Sequence, residues 1–114
     1  MTVSEAAKAL NMKILAGGDK TSLSRDIRHI YTGDLLSWVM AKASEGDAWF
    51  TVMGNINALA VASLADCACI ILVENAVLDA NAKEKADSIS MPVLQTGRRA
   101  AEMIIELDTL MKTE

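Results

Sequence analysis

Ala48-Trp49-Phe50-Thr51-Val52-Met53, then Gly54-Asn55-Ile56-Asn57, then Ala58 to Asp66, then Cys67-Ala68-Cys69-Ile70-Ile71-Leu72-Val73: the reading of this stretch decides the fold. Its first and last pieces are short apolar runs rich in β-branched and aromatic residues, the pattern of strands buried on both faces. Between them, Ala58 to Ala65 is made of strong helix formers, with Asn55 or Asn57 placed to cap the N-terminus. Strand, tight turn, helix and strand in so short a span predict a βαβ unit, and hence neighbouring parallel strands joined by a right-handed crossover. Ile56 to Val73 is apolar enough to imitate a membrane span, but Asn57, Ser63 and Asp66 interrupt it. It reads as a buried helix followed by a buried strand.

The same alternation extends in both directions. Upstream, Thr2 and Glu5 form a capping box, with Val3, Ala6, Ala7 and Leu10 on one helical face and Asn11 at its end. Met12 to Ala16 reads as a short strand stopping at Gly17-Gly18, and Thr21 to Arg25 as a polar connector. Asp26 to Tyr31 is a second strand with Ile27, His29 and Tyr31 on one side. Asp34 is placed to cap a helix over Leu35 to Ser44, whose apolar face is Leu35, Leu36, Val39, Met40 and Ala43. Trp38 falls on the flank of that helix, as core or as interface. Glu45-Gly46-Asp47 ends it. Downstream, Leu78, Ala82, Ala86 and Ile89 mark an amphipathic helix capped by Asp79. Pro92 introduces the strand Val93 to Gln95. The last helix runs from about Arg98 to Met111 with Ala101, Ile104, Ile105 and Met111 inward. The fold class is therefore α/β: a single three-layer α/β/α domain over residues 1–114, with a short, mostly parallel sheet of four or five strands.

Composition narrows the function. The chain has 114 residues, 52% hydrophobic and 4% aromatic, so its core is built of Ala, Val, Ile, Leu and seven Met. A net charge of −4 offers no basic face for nucleic acid. Two cysteines and one histidine do not make a metal site. Strand alternation puts Cys67 and Cys69 on one face as small apolar residues, reduced, which points to the cytoplasm; the N-terminus has no signal-peptide pattern. Gly17-Gly18-Asp19-Lys20-Thr21 invites comparison with a phosphate loop, but the two places that need glycine hold Asp19 and Ile14. His29 has no nucleophile or carboxylate pattern around it and reads as a packed or rim residue.

In a parallel sheet, ligands bind beyond the carboxyl ends of the strands. The candidate ligand-binding residues there are Gly33, Asp34, Gly54, Asn55, Asn57, Glu74 and Asn75, with Gly17-Gly18 and Thr96-Gly97-Arg98 in equivalent turns. One reading is that these residues are simply what turns and caps require. The other is that Gly54 lets a ligand approach the backbone, the asparagines supply neutral hydrogen bonds, and Asp34 and Glu74 select a polar or cationic group.

Gly33-Asp34-Leu35-Leu36-Ser37-Trp38-Val39-Met40 and Thr51-Val52-Met53-Gly54-Asn55-Ile56-Asn57 resemble the DRTGG domain family, and most of all its small stand-alone members. The opening helix, Leu15-Ala16-Gly17-Gly18 and Leu23-Ser24-Arg25 are similar too, so the resemblance covers about residues 2–96. It implies a fold akin to the N-terminal domain of HPr kinase/phosphorylase. It also implies a regulatory or dimerising role, since such domains occur as accessory modules in phosphotransacetylases and in pyrophosphatases with CBS domains. Asp34 matches the Asp of the naming motif, whereas Leu35 stands in the Arg place and Val73-Glu74-Asn75 in the Thr-Gly-Gly place. No kinase activity carries over, because the phosphate loop of HPr kinase lies in a separate domain.

The reading that results is a non-catalytic regulatory or interaction module, without cofactor, that self-associates as a homodimer and offers a small-ligand site at the strand ends. Its other expected partner is a larger enzyme or regulatory protein, with neither nucleic acid nor membrane. The alternative is a purely structural partner subunit of an enzyme complex, without ligand; a small enzyme ranks third. Self-association is expected because Ala58 to Ala65 is apolar nearly all round, as in a helix covered on both sides.

Overall fold

The computed structural model describes residues 1–114. Its elements are α1 (Val3–Ala9), β1 (Lys13–Ala16), α2 (Lys20–Leu23), β2 (His29–Thr32), α3 (Leu36–Lys42), β3 (Asp47–Thr51), α4 (Ile56–Ala65), β4 (Cys69–Leu72), α5 (Ala80–Ile89), β5 (Val93–Gln95) and α6 (Ala100–Lys112). The five strands form one sheet in the order β1-β5-β4-β3-β2. β2, β3, β4 and β5 are parallel and adjacent in chain order, while β1 pairs antiparallel with β5 at the edge. The expected α/β/α architecture is therefore the observed one, with five strands.

Three successive crossovers advance in one direction, and a common hand puts their helices on one face. There α3, α4 and α5 bury Val39, Ala58, Leu59, Ala62, Ala82 and Ala86 against Trp49, Ile70, Leu72 and Val93. On the opposite face α1 and α6 bury Val3, Ala6, Leu10, Met103 and Leu107 against Phe50, Ile71 and Leu94. β3 and β4 are buried throughout, which explains why their residues read as unbroken apolar runs rather than alternating ones. The capping box at α1 is present as expected, with Glu5 N–H donating to Thr2 Oγ1 at 3.1 Å and Thr2 N–H to Glu5 Oε1 at 2.8 Å. No helix is long and apolar enough to cross a membrane.

Several local expectations are corrected. The connector after Gly18 contains α2, a single turn whose N-terminus is closed by Asp19, with Ser22 N–H donating to Asp19 Oδ1 at 2.8 Å. The place a phosphate would take in a phosphate loop is thus filled by the chain's own carboxylate. Hydrogen bonding from Ser22 N–H holds the Asp19 carboxyl down at about 2. β2 begins at His29 rather than Asp26, and Ile27 packs with the α1/α6 side whereas Tyr31 packs with the α3/α4 side. The cysteines also part. Regular pairing starts only at Cys69, so Cys67 joins the α3–α5 core and Cys69 the α1/α6 core. In α6 Met103 and Leu107 are buried and Ile104 and Met111 pack partly against the same core as expected, while Ala101 and Ile105 face solvent. In α3 only Val39 is fully buried; Leu35, Trp38 and Met40 are exposed, and Trp38 lies under the ammonium of Lys42 at 5.9 Å.

Candidate functional site

Parallel pairing from β2 to β5 brings the loops after these strands to one edge of the sheet, as the candidate site requires. The first of them is tied to the second. Asp34 does not cap α3, whose preceding residue Leu35 offers no side-chain cap. Its Oδ1 accepts instead from Thr51 Oγ1 at 2.7 Å and from Val52 N–H at 3.0 Å. Two donors converging from the end of β3 outcompete the one helical N–H that local spacing suggested. Gly33 contributes its carbonyl, which accepts from Trp49 Nε1 at 2.9 Å.

Asn55, not Asn57, caps α4, with Ala58 N–H donating to Asn55 Oδ1 at 2.9 Å. Asn57 sits inside the first turn and is exposed to solvent. Gly54 is buried, and the backbone close to it is the chain's own. A Cβ at Gly54 would lie 1.9 Å from the carbonyl oxygen of Val77, and Asp79 N–H donates to Gly54 O at 2.8 Å. The loop after β4 folds back over the end of β3 through this contact.

Glu74 and Asn75 both adopt left-handed backbone, with φ of 55° and 58°. That conformation turns their N–H groups onto the loop after β5: Glu74 N–H donates to Arg98 O at 3.0 Å and Asn75 N–H to Thr96 O at 2.9 Å. The Asn75 amide lies against Gly97, where a Cβ would come within 3.0 Å of Asn75 Nδ2. The crossover leaving β4 goes to one face of the sheet and the chain leaving β5 to the other. The crevice expected at such a divergence is therefore bridged by backbone hydrogen bonds. Beside it, Arg98 is held by Glu106 at 2.6 Å and 3.0 Å and by Glu102 at 3.7 Å. The ion pair with Glu106 raises the Arg98 pKa and lowers that of Glu106. An open cleft lined by Leu10, Asn11, Thr96, Gly97, Arg98 and Glu106 lies there.

The opposite end of the sheet holds a residue that sequence reasoning passed over. Asp47 opens β3 and is buried. Its Oδ2 accepts from Ser44 N–H at 2.7 Å, ending α3, while Oδ1 has no hydrogen-bond partner and faces His29 Nδ1 at 3.5 Å. An acid at the head of an apolar run was the signal available. His29 is a rim residue, its side chain 65% exposed. Both thiols are free and buried; burial pushes Cys67 up to about 12 and Cys69 higher still. No three His, Cys, Asp or Glu side chains converge as a metal site would need.

No protein-family profile matches the chain, and no curated protein sequence matches it. Among solved structures it is similar to the CBS and DRTGG domains of the regulatory region of Clostridium perfringens pyrophosphatase, in complex with the activator diadenosine tetraphosphate. The TM-score is 0.64 at 10% sequence identity. The likeness covers 90% of this chain and 44% of that one, so the chain spans less than half the length of its structural neighbour. At this identity the match establishes a shared α/β fold.

Proposed function

We propose that the chain is a non-catalytic regulatory or interaction module of the DRTGG type, working in the cytoplasm, that self-associates and binds a small ligand beyond the carboxyl ends of its strands. The observation that carries this reading is the fold likeness over 90% of the chain to part of a regulatory region, joined to the Gly33-Asp34 and Gly54–Asn57 resemblance in the sequence. The ligand would meet Gly33, Asp34, Asn55, Asn57, Glu74 and Asn75, with Gly54 anchoring the loop beneath them. Buried, free cysteines fit a reducing compartment.

Self-association rests on the outer face of α3 and α4. Ile56, Ala60 and Leu64 form an outward stripe on α4, and Leu35 and Trp38 project from the helix beside it. Leu64 is 74% and Trp38 62% exposed. Large apolar groups gathered on one face mark an interface, and two-fold dimers are the commonest solution. Light scattering at about 100 µM, above a micromolar dissociation constant, reads the assembly directly. A dimer that Leu64→Glu and Trp38→Glu convert to a folded monomer supports the proposal; a parent chain that is monomeric there sinks it.

A second reading is favoured by the bridging of the loops after β4 and β5, which fills the crevice: a structural partner subunit without ligand. Thermal unfolding separates the two, because a ligand that binds only the native state raises stability by mass action. Adenine nucleotides, including diadenosine tetraphosphate, are the first probes. A shift abolished by Asn57→Asp, with unchanged stability of the free variant, supports the ligand reading; no shift with any probe leaves the subunit reading.

A further inference from the structure

We infer that the free edge of β2, together with the groove between β2 and α6, docks a short extended segment of another protein by adding it to the sheet. β2 is the terminal strand of the sheet. Gly33 N–H donates to Phe50 O, so the alternation of a parallel ladder turns His29 and Tyr31 toward β3. The N–H and C=O groups of Ile30 and Thr32 are thereby turned outward, a row of donors and acceptors suited to another strand. The segment Met1–Val3 covers the chain only upstream: Ile27 N–H donates to Met1 O, and Thr2 bridges Asp26. That cover stops where β2 begins.

The other edge of the sheet differs. β1 carries an exposed Lys13 and a register slip between Ile14 and Ala16, two devices that discourage pairing. β2 has neither. Alongside β2 runs a groove of about 440 Å³ lined by Ile30, Thr32, Ile104, Ile105, Asp108 and Met111 on the α6 side, with Arg28 and His29 at one end. Ile105 is 67% exposed although it points from the helix next to the sheet. An added strand would form its ladder with Ile30 and Thr32, and its residue opposite Ile30 would lie over Ile105 and Met111.

Size decides the occupant. β2 has four residues, roughly 13 Å of strand. With one strand width of about 5 Å and one helix face about 10 Å wide beside it, the surface covered is of the order of 200 Å² per side, about a quarter of the roughly 800 Å² per partner that a stable interface buries. The edge is too small to hold a second copy by itself, and it matches a segment of four to six residues. The chemistry it selects is alternation: an apolar, β-branched residue for the groove, flanked by polar residues.

The test is binding of a fluorescein-labelled seven-residue peptide of alternating Thr and Val to the intact chain, followed by anisotropy up to about 1 mM, the weak end of specific recognition. Saturable binding with new protection of the Ile30 and Thr32 amides against hydrogen exchange is the expected result. Thr32→Pro removes an outward donor and no ladder bond, and Ile105→Glu charges the groove from an exposed position. Each should weaken binding about tenfold with the unfolding temperature nearly unchanged. If Thr32→Pro fails to fold, Ile105→Glu and the exchange pattern decide. No saturable binding, binding that Ile105→Glu leaves intact, or concentration-dependent protection of Ile30 and Thr32 without peptide, which would mean a second copy on the edge, each overturns the inference.

Discussion

Replacing Gly54 by alanine tests how the end of β3 is built. The added Cβ would stand 1.9 Å from Val77 O and 2.8 Å from Val77 C, where no real contact falls below 3.0 Å. Both atoms are backbone, so the loop after β4 must retreat by about 1 Å or more, an overpacking strain that typically costs about 1–3 kcal/mol. The retreat also stretches the 2.8 Å hydrogen bond from Asp79 N–H to Gly54 O, worth about 1 kcal/mol net. The loop cannot yield freely, because Gln95 Nε2 donates to Ala76 O at 2.9 Å on its other side. A loss of about 2–4 kcal/mol follows. At about 2.1 cal/mol/K of unfolding entropy per residue, 114 residues convert this into a drop of roughly 8–17 °C in unfolding temperature. Gly18→Ala is the control. Its Cβ would meet only Ile14 Cγ2, at 3.0 Å, the end of a side chain that can turn aside, so a change within about 1 kcal/mol is expected. Thermal unfolding followed by circular dichroism measures both. A Gly54→Ala variant that melts within about 2 °C of the parent, half the shift of a single kcal/mol, would refute the reasoning, as would an equal loss in Gly18→Ala.

Asn55→Ala should cost about 1 kcal/mol as loss of a helix cap, whereas Asn57→Ala should change stability by less than about 0.5 kcal/mol; equal losses in denaturant titrations would contradict the capping assignment. Asp19 and Asp87 give an acid dependence. Ser22 N–H lowers the Asp19 pKa from 3.8 to about 2, and Gly17 N–H lowers that of Asp87. Folded values below unfolded ones mean stability that is complete above pH 3.8 and is lost as pH falls toward 2. Asp19→Asn keeps a capping oxygen but cannot titrate, so its unfolding temperature should fall less steeply than the parent's across that window; parallel curves would remove Asp19 from the account. Cys67 and Cys69 are buried with raised pKa values, so native protein at pH 8 should resist a thiol reagent and titrate two thiols only after unfolding. Rapid labelling of the native chain would show that the β4 entrance opens.

Local pattern alone was enough for the architecture. Buried apolar runs at Ala48–Met53 and Cys67–Val73 around a helix-forming stretch demanded parallel strands and a crossover, and the capping box at Thr2 and Glu5 marked α1. The shared edge of Gly33-Asp34, Gly54–Asn57 and Glu74-Asn75 followed from parallel order, whatever the details of each loop. Tertiary structure decided everything that depends on which segments meet. Asp34 had a local helix to cap and bonds Thr51 and Val52 instead, because their donors arrive from the neighbouring strand. Gly54 suggested room for a ligand, and the Val77–Leu78 backbone comes close to it, because the loop after β4 folds back. Ile105 and Ala101 read as inward by hydrophobicity, yet Met103 and Leu107 face the sheet, because the helix's rotation is set by how α6 lies on β2 and β3. Cys67 and Cys69 part for a similar reason: alternation holds only once the ladder starts, and pairing with β3 and β5 sets where it starts. Period and propensity act over one turn or a few residues, whereas hydrogen-bond partners and helix rotation are chosen by contacts between segments far apart in the chain.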